Sequence, residues 1–180
     1  MTFVVDGTNG LTFNDATTQA STATNASNIS SGTLGKARLP TGSVLQVVNG
    51  STSSQTSTAS SAYLDTGLTA TITPTSASSK ILVVIDQCGV YADGPNTGGI
   101  DIFIFRGATQ LAKIGGRTAG DRVSGVVMSV GSVSSNYLDS PATTSATTYK
   151  TQFLAVSNTT TAYVQVYSSL STITLMEISA

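Results

Sequence analysis

From Ser43 to the C-terminus, apolar and β-branched residues recur in short runs separated by turn-forming residues. Ala162, Val164 and Val166 alternate with Tyr163, Gln165 and Tyr167, the period of two that gives a strand one buried and one wet face. Reading each run this way predicts strands at about 43–48, 62–72, 80–92, 99–105, 110–114, 124–133, 149–156, 162–167 and 172–179. Turn chemistry separates them: Asn49-Gly50, Thr73-Pro74, Asp93-Gly94-Pro95-Asn96, Arg106-Gly107, Gly115-Gly116, Ser140-Pro141 and Ser157-Asn158. Lys80–Ile85 does not alternate, so it needs cover on both faces, from the opposite sheet on one side and from a neighbouring subunit on the other. Eight or nine strands at this spacing predict an all-β, two-sheet sandwich of jelly-roll type.

Ahead of Pro40 the pattern changes. Phe3-Val4-Val5 and Leu11-Thr12-Phe13 flank Asp6-Gly7-Thr8-Asn9-Gly10, which predicts a small β-hairpin. Strands of three or four residues bury too little to be stable alone, so this hairpin needs a partner chain. From Ala16 to Ser31 nearly every residue is Ala, Ser, Thr or Asn, with Ala20, Ala23, Ala26 and Ile29 at every third position. That spacing admits a flexible linker, or three copies wound about one axis with these residues inside. In the second reading Leu34 and Leu39, the segment's large apolar groups, also lie at the axis. Pro40 marks the boundary, so residues 1–40 are expected to form an anchor and shaft, and residues 41–180 a head.

Composition narrows the chemistry. The chain has 180 residues and a net charge of -1. Leu, Ile, Val and Phe together number 43, which puts it on the ordered side of the disorder boundary. Ser and Thr make up 56 residues and Glu only one, Glu177, which favours pleated structure over helix. With no His and one Cys, Cys88, the chain lacks the parts of a Ser-His-Asp or Cys-His engine and of a usual zinc site. No catalytic residue, metal or cofactor is therefore expected. Eight basic residues against nine acidic ones give no positive face for nucleic acid. Ile81–Ile85 is far short of the roughly 20 apolar residues that a spanning helix needs, so no membrane insertion is expected. The first residues show no secretory-leader pattern.

A few residues remain as candidates for contact with other molecules. Asp86, Asp93 and Asp101 are close enough in sequence to raise a glycosidase-like carboxylate pair, although turn and strand-end positions read more simply as solvated acids. Arg106, Lys113, Arg117 and Arg122 concentrate half of the basic residues, either to meet an anionic polysaccharide or to blunt a sheet edge. Tyr91 and Tyr137 sit near loops, where an aromatic ring beside Asp or Asn stacks on a sugar or packs at a sandwich rim. The receptor-contact candidates are thus Tyr91, Asp93, Asn96, Arg117, Arg122 and Tyr137. Gly35-Lys36 and Gly115-Gly116-Arg117-Thr118-Ala119-Gly120 lack the spacing of phosphate-binding loops.

Gly10–Gln19, with its Leu11-Thr12-Phe13 step, is similar to a short motif of bacteriophage fibre proteins, with Asn14 and Ala16 where that motif carries Pro and Gly. Asn28–Leu34 and Ala37-Arg38-Leu39-Pro40 resemble the linker that precedes fibre tips. Gly42–Val48, Tyr63–Leu68, Ile72-Thr73-Pro74 and Lys80–Val83 resemble a tip domain of phage virion proteins. The resemblance covers most of the chain. It implies a homotrimeric tail fibre in which residues 1–40 join other virion proteins and a head like the tumour-necrosis-factor jelly roll meets host polysaccharide or protein. It carries over no binding residue. The alternatives are a trimeric head fibre or capsid decoration protein and, in a different class, a glycan depolymerase using Asp86 or Asp101.

Overall fold

The computed structural model describes residues 4–6, 10–12, 18–19, 39–93, 98–116 and 130–180. The chain divides into two compact units, Met1–Leu39 and Pro40–Ala180. In the first, β1 (Val4–Asp6) and β2 (Gly10–Thr12) pair antiparallel with Val4 opposite Thr12, the expected hairpin. A third strand, β3 (Thr18–Gln19), pairs with β2 through Leu11 and Gln19. It corrects the reading of this stretch as linker or shaft throughout; two residues are too few to register as a strand period. Ala20, Ala23, Ala26, Ile29 and Leu34 lie outside the described residues, and Leu39 is half-buried.

The second unit contains β4 (Val44–Thr52), β5 (Thr56–Thr58), β6 (Leu64–Ile72), β7 (Lys80–Asp93), β8 (Ile100–Arg106), β9 (Thr109–Gly116), β10 (Gly131–Asp139), β11 (Thr147–Ala155), β12 (Thr161–Val164) and β13 (Ser171–Ile178). There is no α-helix among the described residues, only a 3-10 turn at Val166–Ser168. β4, β13, β7 and β10 form one sheet in that order, continued by the β12–β5 pair, and β6, β11, β8 and β9 form the other. The antiparallel pairs β4·β13, β6·β11, β7·β10 and β8·β9 nest inside one another as though one long hairpin had been rolled up. That is the jelly-roll order, and the all-β sandwich expected from the sequence is the fold.

Four predicted features change. The strand expected at 162–167 is β12 and stops at Val164, because Gln165 and Tyr167 take positive φ, and Gln165 is buried rather than wet. β4 runs straight through Asn49-Gly50 and β9 includes Gly115-Gly116, so neither glycine pair is a turn. The strand expected at 124–133 is β10, at Gly131–Asp139; residues 124–129 lie outside the described residues. Its outward positions Ser132, Ser134 and Asn136 had hidden the pattern of Val133 and Tyr137 facing inward.

The interior holds two apolar clusters separated by a polar belt. Leu68, Ile72, Ile81, Val83, Ile85, Ile104, Tyr149 and Leu175 belong to one; Val90, Ile100, Ile102, Phe153 and Val164 belong to the other. Between them Thr66, Thr151, Gln87, Ser171 and Gln165 are all buried. Their bonds run across the sandwich: the Leu68 N–H donates to Thr66 Oγ1, Thr66 and Thr151 hydroxyls meet at 2.6 Å, and Thr151 Oγ1 donates to Gln87 Oε1 at 2.9 Å. Gln87 Nε2 then donates to Ser171 Oγ at 3.1 Å. The Gln165 amide fits the belt with its oxygen turned towards Gln87 Nε2 and Ser171 Oγ, the orientation that gives both of its ends a partner. Burial without partners would cost each of these groups about 1–3 kcal/mol; the closed chain avoids that cost.

At the same level the sheet bends. Gly89 takes φ +63° within β7, and the chain between β12 and β13 breaks with positive φ at Gln165, Tyr167 and Ser168. The Gln165 N–H donates to the Cys88 carbonyl at 3.1 Å, which holds the two bends together.

Glu177 is fully buried in β13 and has no cation beside it in the ion-pair geometry of the described residues. Its carboxylate accepts from Gln46 Nε2 at 2.6 Å and from both the N–H and Oγ1 of Thr75 at 2.7 Å, pinning the β6–β7 connection to β4 and β13. Burial alone raises its pKa, but the donors from Thr75 and Gln46 outweigh it and hold the carboxyl down to about 2, below its ordinary 4.5. Because the folded value is the lower one, the stabilisation is complete above pH 4.5 and is lost as pH falls towards 2. Glu177→Gln is expected to cost about 1.5–3 kcal/mol at neutral pH, the worth of hydrogen bonds to a charged group, and to flatten much of the acid loss, read from urea unfolding between pH 2 and 7. An unchanged pH dependence in this variant would contradict the assignment.

Candidate functional site

The described residues offer two unusual surfaces, one on each outward face of the sandwich. On the β6–β11–β8–β9 sheet, β8 is apolar on both sides. Ile100, Ile102 and Ile104 face the core, while Phe103 and Phe105 point outward yet are only 7% and 6% exposed. Tyr63, just before β6, covers them. Its ring meets Phe103 and Phe105 edge-on, with centroids 5.0 and 5.2 Å apart, and its hydroxyl donates to Gln110 Oε1 at 2.7 Å. The opposite flank of Phe103 carries Lys113, whose Nζ lies 6.0 Å from the ring centroid and 2.7 Å from Asp101.

Beside this aromatic cluster is an open groove of about 580 Å³, lined by Tyr63, Phe105, the Gly107–Ala108 turn, Thr148, Lys150 and Gln152. Lys150 and Gln152 are placed by β11, directly opposite Phe105 and Phe103 in the register. Both reach Asp65 on β6: Lys150 Nζ is 2.7 Å from Oδ1, and Gln152 Nε2 donates to the same oxygen at 2.7 Å. Partial burial would raise the Asp65 pKa, but the bonds from Lys150 and Gln152 outweigh it and hold it below the ordinary value. The groove therefore joins an aromatic wall to a charge-compensated polar rim.

On the other sheet, the outward positions fall into rows set by register. Val47, Met176, Leu82 and Leu138 lie side by side across β4, β13, β7 and β10. Val47 is 57% and Leu138 52% exposed. The next row is Asn49, Thr174, Val84 and Asn136, and the one after it Ser51, Thr172, Asp86 and Ser134. The face thus grades from aliphatic to polar within three rows, and Leu82 and Val84 are the outward half of the run that the sequence left without alternation.

The structure separates most residues singled out by sequence. Asn96, Arg117 and Arg122 lie outside the described residues. Tyr91 is in β7 and stacks on Tyr163 with centroids 5.6 Å apart, and Asp93 ends the same strand half-buried. Tyr137 is not near a loop: it lies within β10 and packs against the core, because its place in the strand alternation faces inward. Asp86 accepts from Ser134 Oγ on one outward face, whereas Asp101 pairs with Lys113 on the other. Two sheets about 10 Å apart lie between them, so these two do not form the close carboxylate pair considered above.

Arg106 and Lys113 do not combine into a basic patch either. Lys113 is paired with Asp101, and Arg106 Nη1 donates to both oxygens of Asp139, at 2.9 and 2.7 Å. The Tyr149 hydroxyl also donates to Asp139, at 2.7 Å, so this triad ties β10 of one sheet to β8 and β11 of the other. Sequence reasoning missed Tyr63, Asp65, Lys150 and Gln152 as a group. The available signal was Ile102–Phe105, a run apolar at both parities whose outward phenylalanines require a cover. Among the described residues no three His, Cys, Asp or Glu side chains gather as a metal set, and no helix is long and apolar enough to cross a membrane. No protein-family model matches the chain, and no curated protein matches it significantly.

Proposed function

We propose that the chain is the structural subunit of a homotrimeric phage tail fibre, with residues 1–40 joining other virion proteins and the β-sandwich taking part in host-surface binding. The observation that carries the assembly part is the Val47–Met176–Leu82–Leu138 row. A water-facing sheet surface is ordinarily polar, and an aliphatic row in register across four strands marks a surface that is covered in use. The row contains no charge, so the same patch can be buried on every copy of a closed ring without stranding an ion. Support for three copies, and for a virion, comes from the fibre-like motifs and from the period-three spacing ahead of Pro40. Three tips on one fibre multiply weak contacts into avidity.

Sedimentation of the intact chain is expected to give three times 18.2 kDa, and Leu138→Asp a folded single copy with an unchanged far-ultraviolet spectrum. A wild-type chain that sediments as a monomer overturns the assembly. Gold-labelled antibody against the head should decorate the tails of particles; decoration of the capsid instead would favour the head-fibre alternative.

A further inference from the structure

We propose that the groove beside Tyr63 is a carbohydrate site that takes a neutral hexopyranose unit of a surface polysaccharide, with Tyr63 as the wall for the sugar's C–H face, Lys150 and Gln152 as its hydroxyl partners, and Asp65 holding those two in place. The inference rests on the host-binding reading and gives it a place and a ligand class.

The first support is the aromatic wall. Tyr63 is 47% exposed, yet two ring contacts and the bond to Gln110 fix it. A ring fixed before binding loses little freedom on binding, and its apolar body with a polar tip suits a ligand that is apolar on one face and hydroxylated at the rim. The second is the pairing of Lys150 with Asp65. Their charges cancel, so a ligand with its own charge gains little net attraction, whereas a neutral ligand avoids repulsion from either group. An ammonium has three donors, and a primary amide both donates and accepts. Vicinal sugar hydroxyls each donate and accept, and can bridge such a rim. The third is shape. A groove of about 580 Å³ that is open to solvent has room for one ring. A flat apolar patch would favour a protein partner; here the polar groups stand beside the ring within one groove.

The test uses the full chain and saturation-transfer NMR with gluco-, galacto- and manno-configured neutral hexasaccharides, together with hexasaccharides of glucuronic acid as the anionic arm. At least one neutral probe is expected to show transfer to its ring C–H protons. Tyr63→Ala should weaken that binding at least tenfold and Tyr63→Phe much less. Gln152→Ala, on β11, should weaken it severalfold, which keeps the test independent of any loss of fold in Tyr63→Ala. No transfer to any neutral probe, preference for the anionic arm, or full binding by both alanine variants each overturns the proposal. Sedimentation of the same samples separates the two readings: a trimer that binds no sugar removes the groove and keeps the fibre, and a monomer that binds sugar does the reverse.

Discussion

Gly89→Ala is expected to destabilise the sandwich by more than about 4 kcal/mol, which is a large part of the roughly 5–15 kcal/mol that keeps a domain folded. Two effects combine. Gly89 has φ +63°, and an L side chain in the left-handed region costs about 1–2 kcal/mol. A Cβ there would also stand 2.6 Å from Val166 N and 2.9 Å from both Gln165 C and Val166 O, all of them backbone atoms. The facing segment has little slack, because Gln165, Tyr167 and Ser168 already hold positive φ and the Gln165 N–H is bonded to Cys88. Gly42 is the control: it has φ +88° and nothing within 4 Å of an added Cβ, so Gly42→Ala should show only the conformational cost. Urea unfolding of both variants decides the matter, and equal losses would mean that β7 and the Gln165–Val166 segment do not approach so closely.

Asp139→Ala is expected to cost about 3–5 kcal/mol, the range for removing one partner of a buried charge pair. The substitution leaves the Arg106 guanidinium without its carboxylate and the buried Tyr149 hydroxyl without an acceptor. Burial, and then the bond to Asp139, keep the Tyr149 phenol protonated well beyond its ordinary range, so it stays a donor seeking a partner. The Lys150–Asp65 pair supplies the comparison. Asp65 is 54% exposed there, and Lys150→Met should cost less than about 1 kcal/mol. A double-mutant cycle on Asp139 and Arg106 should give a clear coupling energy. Additive losses would show that the two side chains act independently.

How far the sequence could be read depended on what each residue pattern reported. Alternation along Ala162–Val164 and the turn residues around each run located most of the sandwich strands, since both follow from local geometry. Glycine pairs misled. Asn49-Gly50 is a strong local hairpin signal, but Gly50 lies within β4 because a Cβ there would overlap the Thr69 carbonyl of β6. Gly115 likewise lies in β9, where an added Cβ would meet the Val133 methyl groups at 3.0 Å. A glycine that makes room for another element looks in sequence like a glycine that makes a turn. The part of β10 beyond Val133 was missed for a related reason: Ser134 and Asn136 face outward and give it the composition of a loop.

Residue order alone is enough for the β class, the approximate number of sandwich strands and the apolar character of Ile81–Ile85 at both parities. Each is a local or compositional property, fixed by which dihedrals and faces a stretch of residues prefers. It takes the packed fold to bring Tyr63 over Phe103 and Phe105, to gather Lys150 and Gln152 on Asp65, and to set Val47, Met176, Leu82 and Leu138 in one row. These groupings join residues far apart in the chain, and strand order and register, which arise from the packing of the whole sandwich, set them side by side.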